Sequence, residues 1–270
     1  SLSFTAENKT NRLAYSGFEN AVGSKYSDRI TGDSSANLLS GDEGNDTFKG
    51  EGGADTLQGD AGNDYFYSGD TATAVNATSI GGDGSDTVDY TSSRLVKKDI
   101  FVNLQTGSAT STGLFTDKLD SVENVLFNSG NDTFTGSNQA GVNSSVEGGW
   151  GNDILTGGVG NDLLYGDKAD DSTSTDSTIT YNDVLDGGAG DDSLFGGQGD
   201  DSLKSSAGQD VFNGGVGIDV LSYADVHLAN SSDVLKIDTA NSTKGSGVGT
   251  GEAAGDVIGI DIETIIGAAN

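Results

Sequence analysis

Residues 41–67 read GDEGNDTFK, GEGGADTLQ, GDAGNDYFY: three units of nine residues in direct succession. Each follows G-x-x-G-x-D-x-U-x, where U is large and apolar. The unit recurs at 81–89, 148–156, 157–165, 187–195, 196–204 and 214–222, which makes nine strict copies. Looser copies hold the register at 23–31, 32–40, 127–135 and 205–213. Insertions enlarge the units at 136–147 and 166–186, and 68–80 has the length of another enlarged unit. Self-similarity at a fixed period is the signature of a stacked architecture, in which one unit buries almost nothing and neighbours bury a continuous core.

The residue types explain the unit. Glycines at positions one and four allow backbone conformations that a Cβ forbids, so the first six residues make a tight turn. Peptide carbonyls turned inward are hard oxygen ligands, and the position-six Asp adds a carboxylate. Calcium takes six to eight such oxygens in flexible geometry. Positions seven to nine suit one short rung, with position eight pointing inward and its neighbours outward. Phe48, Leu57, Phe66, Leu155, Leu164, Leu194 and Leu203 fill position eight. A flexible acidic linker has no use for that spacing.

Composition bounds the alternatives. The 270 residues carry 13 Lys+Arg against 42 Asp+Glu, a net charge of −29. A nucleic-acid binder needs a basic surface to neutralise phosphates, so nucleic acid is excluded as a partner. With no cysteine, disulfides, thiolate metal sites and cysteine nucleophiles are excluded. No apolar run approaches the roughly 20 residues of a membrane helix. At 33% hydrophobic, with 43 glycines, the chain is poor in core and would tend to disorder; the charge points to cations as the missing stabiliser. The chain has no methionine and opens on Ser1, which is expected of a mature product or an internal segment.

These units resemble the calcium-binding nonapeptide of the RTX (repeats-in-toxin, haemolysin-type) family, over 23–89 and 127–222. The resemblance implies an all-β fold: a right-handed parallel β-roll in which two nonapeptides make one coil. Each calcium would lie between stacked turns, held by carbonyls and by both position-six aspartates. In this sequence the implied ligands are Asp28, Asp46, Asp55, Asp64, Asp86, Asp132, Asp153, Asp162, Asp183, Asp192, Asp201, Asp210 and Asp219. The implied stacks are Asp28–Asp46–Asp64–Asp86, Asp132–Asp153–Asp183–Asp201–Asp219 and Asp162–Asp192–Asp210. Asn37 stands where an Asp is expected opposite Asp55, so that site should be weaker. The ligand demand of the ion gives on the order of ten calcium ions.

A longer repeat separates the arrays. Asp89-Tyr90-Thr91-Ser92 leads to Ile100-Phe101-Val102-Asn103-Leu104 and then to Leu119-Asp120-Ser121-Val122-Glu123-Asn124-Val125; residues 222–264 follow the same plan, and 15–21 match its tail. Wider coils continuing the stack are expected here, with a small β-sandwich between separate rolls as the alternative. The expected organisation is thus an inter-array segment ending at 22, a first array at 23–89, an inter-array segment at 90–126, a second array at 127–222 with an inserted loop at 166–181, and a further inter-array segment at 223–270.

No enzyme site emerges. The sequence has neither H-E-x-x-H nor G-x-S-x-G, the signatures of zinc proteases and serine hydrolases. The single histidine, His227, lies near Asp225 and Ser222, but triads are assembled in space and not from chain neighbours. The acidic pairs Asp170-Asp171, Asp191-Asp192 and Asp200-Asp201 fall within the repeats, Trp150 is a lone turn aromatic, and residues 94–98 form one small basic cluster. The expected function is a non-enzymatic, calcium-binding structural β-roll that folds after export, secreted or at the cell surface, in a surface-layer protein or adhesin. The competing context is a calcium-folded accessory module of a secreted protease, lipase or alginate epimerase. Expected partners are calcium and either a second copy or a cell-surface polysaccharide.

Overall fold

A computed structural model describes residues 2–3, 11–14, 19–68, 76–92, 95, 97–168, 181–204, 206–223, 236–238, 246–248, 257–258 and 262–266. These residues form strands and turns, with no helix among them. The chain divides into two compact units, 1–128 and 129–270.

In the first unit the chain alternates between two sheets. Asn20–Val22, Leu38–Ser40, Thr56–Ala61 and Thr78–Asp83 pair in parallel in one; Asp28–Thr31, Thr47–Lys49, Tyr65–Tyr67 and Thr87–Asp89 pair in parallel in the other. Partners are two units apart, so two nonapeptides make one coil. Position eight is the inward position. Ile30, Phe48, Phe66 and Val88 face one another down one sheet, each at most 1% exposed. Phe48 and Phe66 stack with ring centroids 5.1 Å apart. Leu39 and Leu57 continue the opposite sheet. There Thr78–Asp83 supplies the next rung, and the inward place is taken by the buried Ser79.

The second unit repeats the plan. Thr133–Thr135, Ile154–Val159, Val184–Ala189, Ser202–Lys204 and Asp219–Ser222 form one parallel ladder. Ser145–Glu147, Leu163–Tyr165, Ser193–Gln198 and Val211–Val216 form the other. Phe134, Leu155, Leu185, Leu203 and Leu221 line the first; Val146, Leu164, Leu194 and Phe212 line the second. All are at most 1% exposed. Fully burying one such side chain contributes roughly 1.5–3 kcal/mol, once per nine residues, so the apolar core is only one file of side chains from each sheet.

The inter-array segment of the first unit joins both sheets and does not fold as a separate sandwich. Phe115–Asp120 lies parallel to Thr78–Asp83, and Asn124–Leu126 lies parallel to Thr87–Asp89. One feature departs from simple coiling: Ser108–Ser111 runs antiparallel to both Phe101–Asn103 and Phe115–Asp120. Two reversals turn this meander, helped by Gly107 (φ 63°) and Gly113 (φ 75°), where only glycine is at ease. Tyr90 anchors the widened core, stacked on Phe115 at 5.4 Å and Phe127 at 6.4 Å. In the second unit, Lys236–Asp238, Ser246–Val248 and Val257–Ile258 make the same antiparallel meander, and Ile262–Ile266 lies parallel to Asp219–Ser222.

His227, Asp225 and the Asp170-Asp171 pair lie outside the described residues, as do Arg94 of the basic cluster and residues 169–180 of the inserted loop.

Candidate metal centres

The turns stack as closely as the rungs. At position four a side chain is excluded: Gly62 has φ 137°, and a Cβ on it would strike the carbonyl of Gly44, one coil away. Backbone thus lies directly on backbone, and the position-six aspartates fall into columns.

Each column is held by main-chain to side-chain hydrogen bonds running in one direction. The Asp28 amide donates to Asp46 Oδ1 at 2.7 Å, the Asp46 amide to Asp64 Oδ1 at 2.7 Å, and the Asp64 amide to Asp86 Oδ1 at 2.8 Å. In the second unit Asp132 donates to Asp153, Asp153 to Asp183, Asp183 to Asp201 and Asp201 to Asp219, at 2.7–2.9 Å. On its other side Asp162 donates to Asp192 at 2.8 Å and Asp192 to Asp210 at 3.0 Å. Each aspartate pair drawn from the repeat register is therefore adjacent, including the two pairs that span inserted units. Asp55 is the exception. It accepts from the Asn37 amide at 2.9 Å, and the next rung places Ala77 above it, so it has no acidic neighbour in its column.

In seven of these carboxylates one oxygen takes an amide of the adjacent coil; the other is the informative one. Oδ2 of Asp46, Asp64, Asp86, Asp162, Asp183, Asp192 and Asp201 is buried and accepts no hydrogen bond. It faces the position-one glycine of its own unit. A Cβ on Gly59 would touch Asp64 Oδ2 and lie 2.7 Å from the carbonyl oxygen of Gly81, in the next coil; one on Gly41 would touch Asp46 Oδ2 and lie 2.8 Å from Gly59 O. The same pairing of a carboxylate oxygen and a glycine carbonyl recurs over Gly157, Gly166 and Gly196. A convergence of hard oxygens that glycine keeps clear of side chains, and in which the carboxylate oxygen has no donor, fits calcium and suits neither a thiolate-seeking metal nor an anion. Among the described residues no three carboxylates or imidazoles come together as a metal cluster. A cation here would be held by stacked carboxylates together with main-chain carbonyls. Bound calcium would supply positive charge between the carboxylates.

Without a cation these carboxylates resist ionisation. Burial, the largest cause, pushes Asp46 and Asp192 up to about 7, and Asp64 and Asp86 to about 6. The amide hydrogen bond from the adjacent coil opposes this, and neighbouring carboxylates add to it. Asp201 rises to about 8 and Asp183 to about 9, again through burial first. Asp55 rises to about 6, and Asp162 rises for the same reason. Removing charge from water in this way is unfavourable unless the charge is paired.

Several residues went unread in the sequence. Position five carries a second ladder of opposite sense, in which the side chain accepts from the amide one coil onward. Asn45 accepts from Asn63, Asn143 from Asn161, Asn152 from Asn182, Asn161 from Asp191 and Asn182 from Asp200, at 2.7–3.0 Å. The frequent N-D pair at positions five and six was its signal. Asp117 occupies the aspartate position of the inter-array coil, but both its oxygens are engaged: Oδ1 by the Ala77 amide, Oδ2 by Ser68 and Tyr90. Asp167, at position two, is buried and accepts from the Gln198 amide at 2.6 Å; its charge helps to raise Asp183 and Asp201.

The model of the RTX calcium-binding nonapeptide repeat (4 copies) matches residues 14–48, 40–72, 147–177, 180–203 and 186–221. These arrays are RTX calcium-binding repeats. No curated protein matches the chain. The match covers Asp28, Asp46, Asp55, Asp64, Asp153, Asp162, Asp183, Asp192, Asp201, Asp210 and Asp219, and leaves Asp86 and Asp132 outside it; the matched arrays are calcium-binding β-roll segments. RTX repeats form a structural calcium-binding domain and are typical of secreted proteins.

Proposed function

We propose that this chain is a structural segment of an exported protein, held unfolded at low calcium and folded by calcium outside the cell. The single observation behind this reading is the column of buried carboxylates whose donor-less oxygens converge with glycine carbonyls around a position that admits no side chain. Each stacked pair repels when ionised, and the apolar file beside it is too thin to compensate. Binding energy then becomes folding energy, because the sites do not exist in the unfolded chain. The thirteen aspartates named from the repeat are the proposed ligands, with Asp55 the weakest because its column neighbours are Asn37 and Ala77. Extracellular calcium modules bind at about 10⁻⁴ to 10⁻³ M, far above bacterial cytosolic calcium, which suits passage through a type I secretion channel as an unfolded chain. The proposed setting is a surface-layer protein or adhesin, in which a long, modular, non-catalytic stack acts as a spacer or lattice element.

Sedimentation velocity at zero and at several millimolar calcium tests this. A slow, expanded species that becomes a compact monomer supports calcium-driven folding and a spacer or accessory role. Large calcium-dependent assemblies support a lattice role. An unchanged sedimentation coefficient refutes the proposal.

A further inference from the structure

The first unit's longest aspartate column does not end at Asp86. The Asp86 amide donates to Glu123 Oε2 at 2.8 Å, the bond that each lower coil makes to an aspartate. Glu123 belongs to the inter-array segment and directly precedes the rung Asn124–Leu126, which lies on Thr87–Asp89. It therefore stands at position six of a coil that has no nonapeptide. Asp86 is fully buried, and its Oδ2 accepts no hydrogen bond. That oxygen faces Gly81, where a Cβ would touch both Asp86 Oδ2 and the carbonyl oxygen of Ser121. Ser121 takes the place that a position-one glycine fills lower in the column, and it holds the left-handed conformation (φ 49°) that a side chain rarely adopts. The strained backbone brings a carbonyl to the same cluster of oxygens.

We propose that a further divalent-cation site closes the first array here, formed by Asp86, the Ser121 carbonyl and the carboxylate of Glu123. It rests on the calcium reading of the aspartate columns and extends it to residues outside the repeat. A glutamate suits this place, since its extra methylene lets a carboxylate reach back to Asp86 from a coil that lacks the glycine turn. The site takes a hard cation of calcium size, because its donors are two carboxylates and a carbonyl. Its position gives it a role: the inter-array coil becomes bound to the array through the ion, so the widened core around Tyr90 closes only on a loaded roll.

Two variants of the full chain test this by different means. Glu123→Gln keeps an acceptor for the Asp86 amide but removes the charge. Gly81→Ala drives a methyl against both Asp86 Oδ2 and Ser121 O and forces them apart. Bound calcium is counted by equilibrium dialysis with elemental analysis, and hydrogen exchange is followed by mass spectrometry. Each variant is expected to bind one ion fewer than wild type at a calcium concentration that saturates the array. Faster exchange should be confined to residues 81–92 and 115–126, with residues 129–223 unchanged. The wild-type count and exchange pattern in both variants would overturn the proposal, since Glu123 would then be a simple hydrogen-bond cap. Loss of several ions, or deprotection of 129–223, would also overturn it, because the residues would be acting on the whole fold. A wild type that binds no calcium refutes the wider reading as well, and is recognised before either variant is made.

Discussion

Replacing Asp183 by asparagine should change the protein in opposite directions with and without calcium. Asp183 is 1% exposed, its Oδ1 takes the Asp153 amide at 2.7 Å, and its Oδ2 accepts nothing. Asparagine preserves the first contact and removes the charge. Burial, with Asp153, Asp201 and Asp167 adding to it, lifts the Asp183 carboxyl from 3.8 to about 9. At about 1.4 kcal/mol per pKa unit, ionising it in the calcium-free fold costs at most ~7 kcal/mol. Water entry and relaxation of neighbours reduce this, and a gain of ~2–4 kcal/mol is expected for Asp183→Asn at pH 8 in chelator. The sign follows from linkage. A carboxyl whose folded pKa is raised binds its proton more tightly in the folded state, so stability is highest below the unfolded value near 4. It falls as pH rises toward about 9. The gain should therefore vanish at pH 4, where wild type is already protonated. In calcium the effect reverses. One site with a dissociation constant of about 10⁻⁴ M stabilises the fold by ~2 kcal/mol at several millimolar calcium, and the variant loses that amount. Circular dichroism gives all four values at pH 4 and pH 8: urea unfolding in calcium, and folding induced by trimethylamine N-oxide in chelator, where the fold must be driven. A variant that is destabilised equally in all four conditions would refute the reasoning, because Asp183 would then be a packing residue and not a charge that calcium neutralises.

Other outcomes follow from the same geometry. Gly59→Ala places a methyl against Asp64 Oδ2 and Gly81 O; calorimetric titration should show one calcium fewer, and an unchanged count would argue against that space as a site. Leu164→Ala opens a cavity between Val146 and Leu194 and should cost ~2–5 kcal/mol in calcium-saturated unfolding. Asn161→Ala removes the acceptor for the Asp191 amide and should cost about 1 kcal/mol, with calcium stoichiometry unchanged. In chelator, acidification from pH 9 to pH 4 should favour the compact state, because Asp183, Asp201, Asp46 and Asp192 hold a proton more tightly there than in the unfolded chain, read as a rising sedimentation coefficient. In saturating calcium the same acidification should instead weaken binding.

The roll itself was legible in the nonapeptides because each position has one physical task. A period of nine, with an apolar eighth residue, admits one inward side chain per rung, and Phe48, Phe66, Leu155 and Leu164 all take that place. The aspartate pairs could be drawn from the register, since stacked coils share it; the enlarged units kept it too, as Asp183 on Asp153 shows. The inter-array segments were less readable. Their alternation marked strands, but an antiparallel meander between Phe101 and Asp120 carries the same period of two as a parallel rung.

Taken alone, the sequence determined the repeat, the inward file and the identity of the acidic residues, since these depend on local spacing. Which carboxylate oxygen is left without a donor was decided only by the tertiary structure. That depends on the amide of one coil reaching the side chain of the next, a contact between residues 18 to 30 positions apart. The same holds for Glu123. Nothing in its segment distinguishes it from other exposed acids until the rung Asn124–Leu126 docks on Thr87–Asp89 and brings its carboxylate to the Asp86 amide. Spacing along the chain specifies what a unit contains; stacking specifies what it meets.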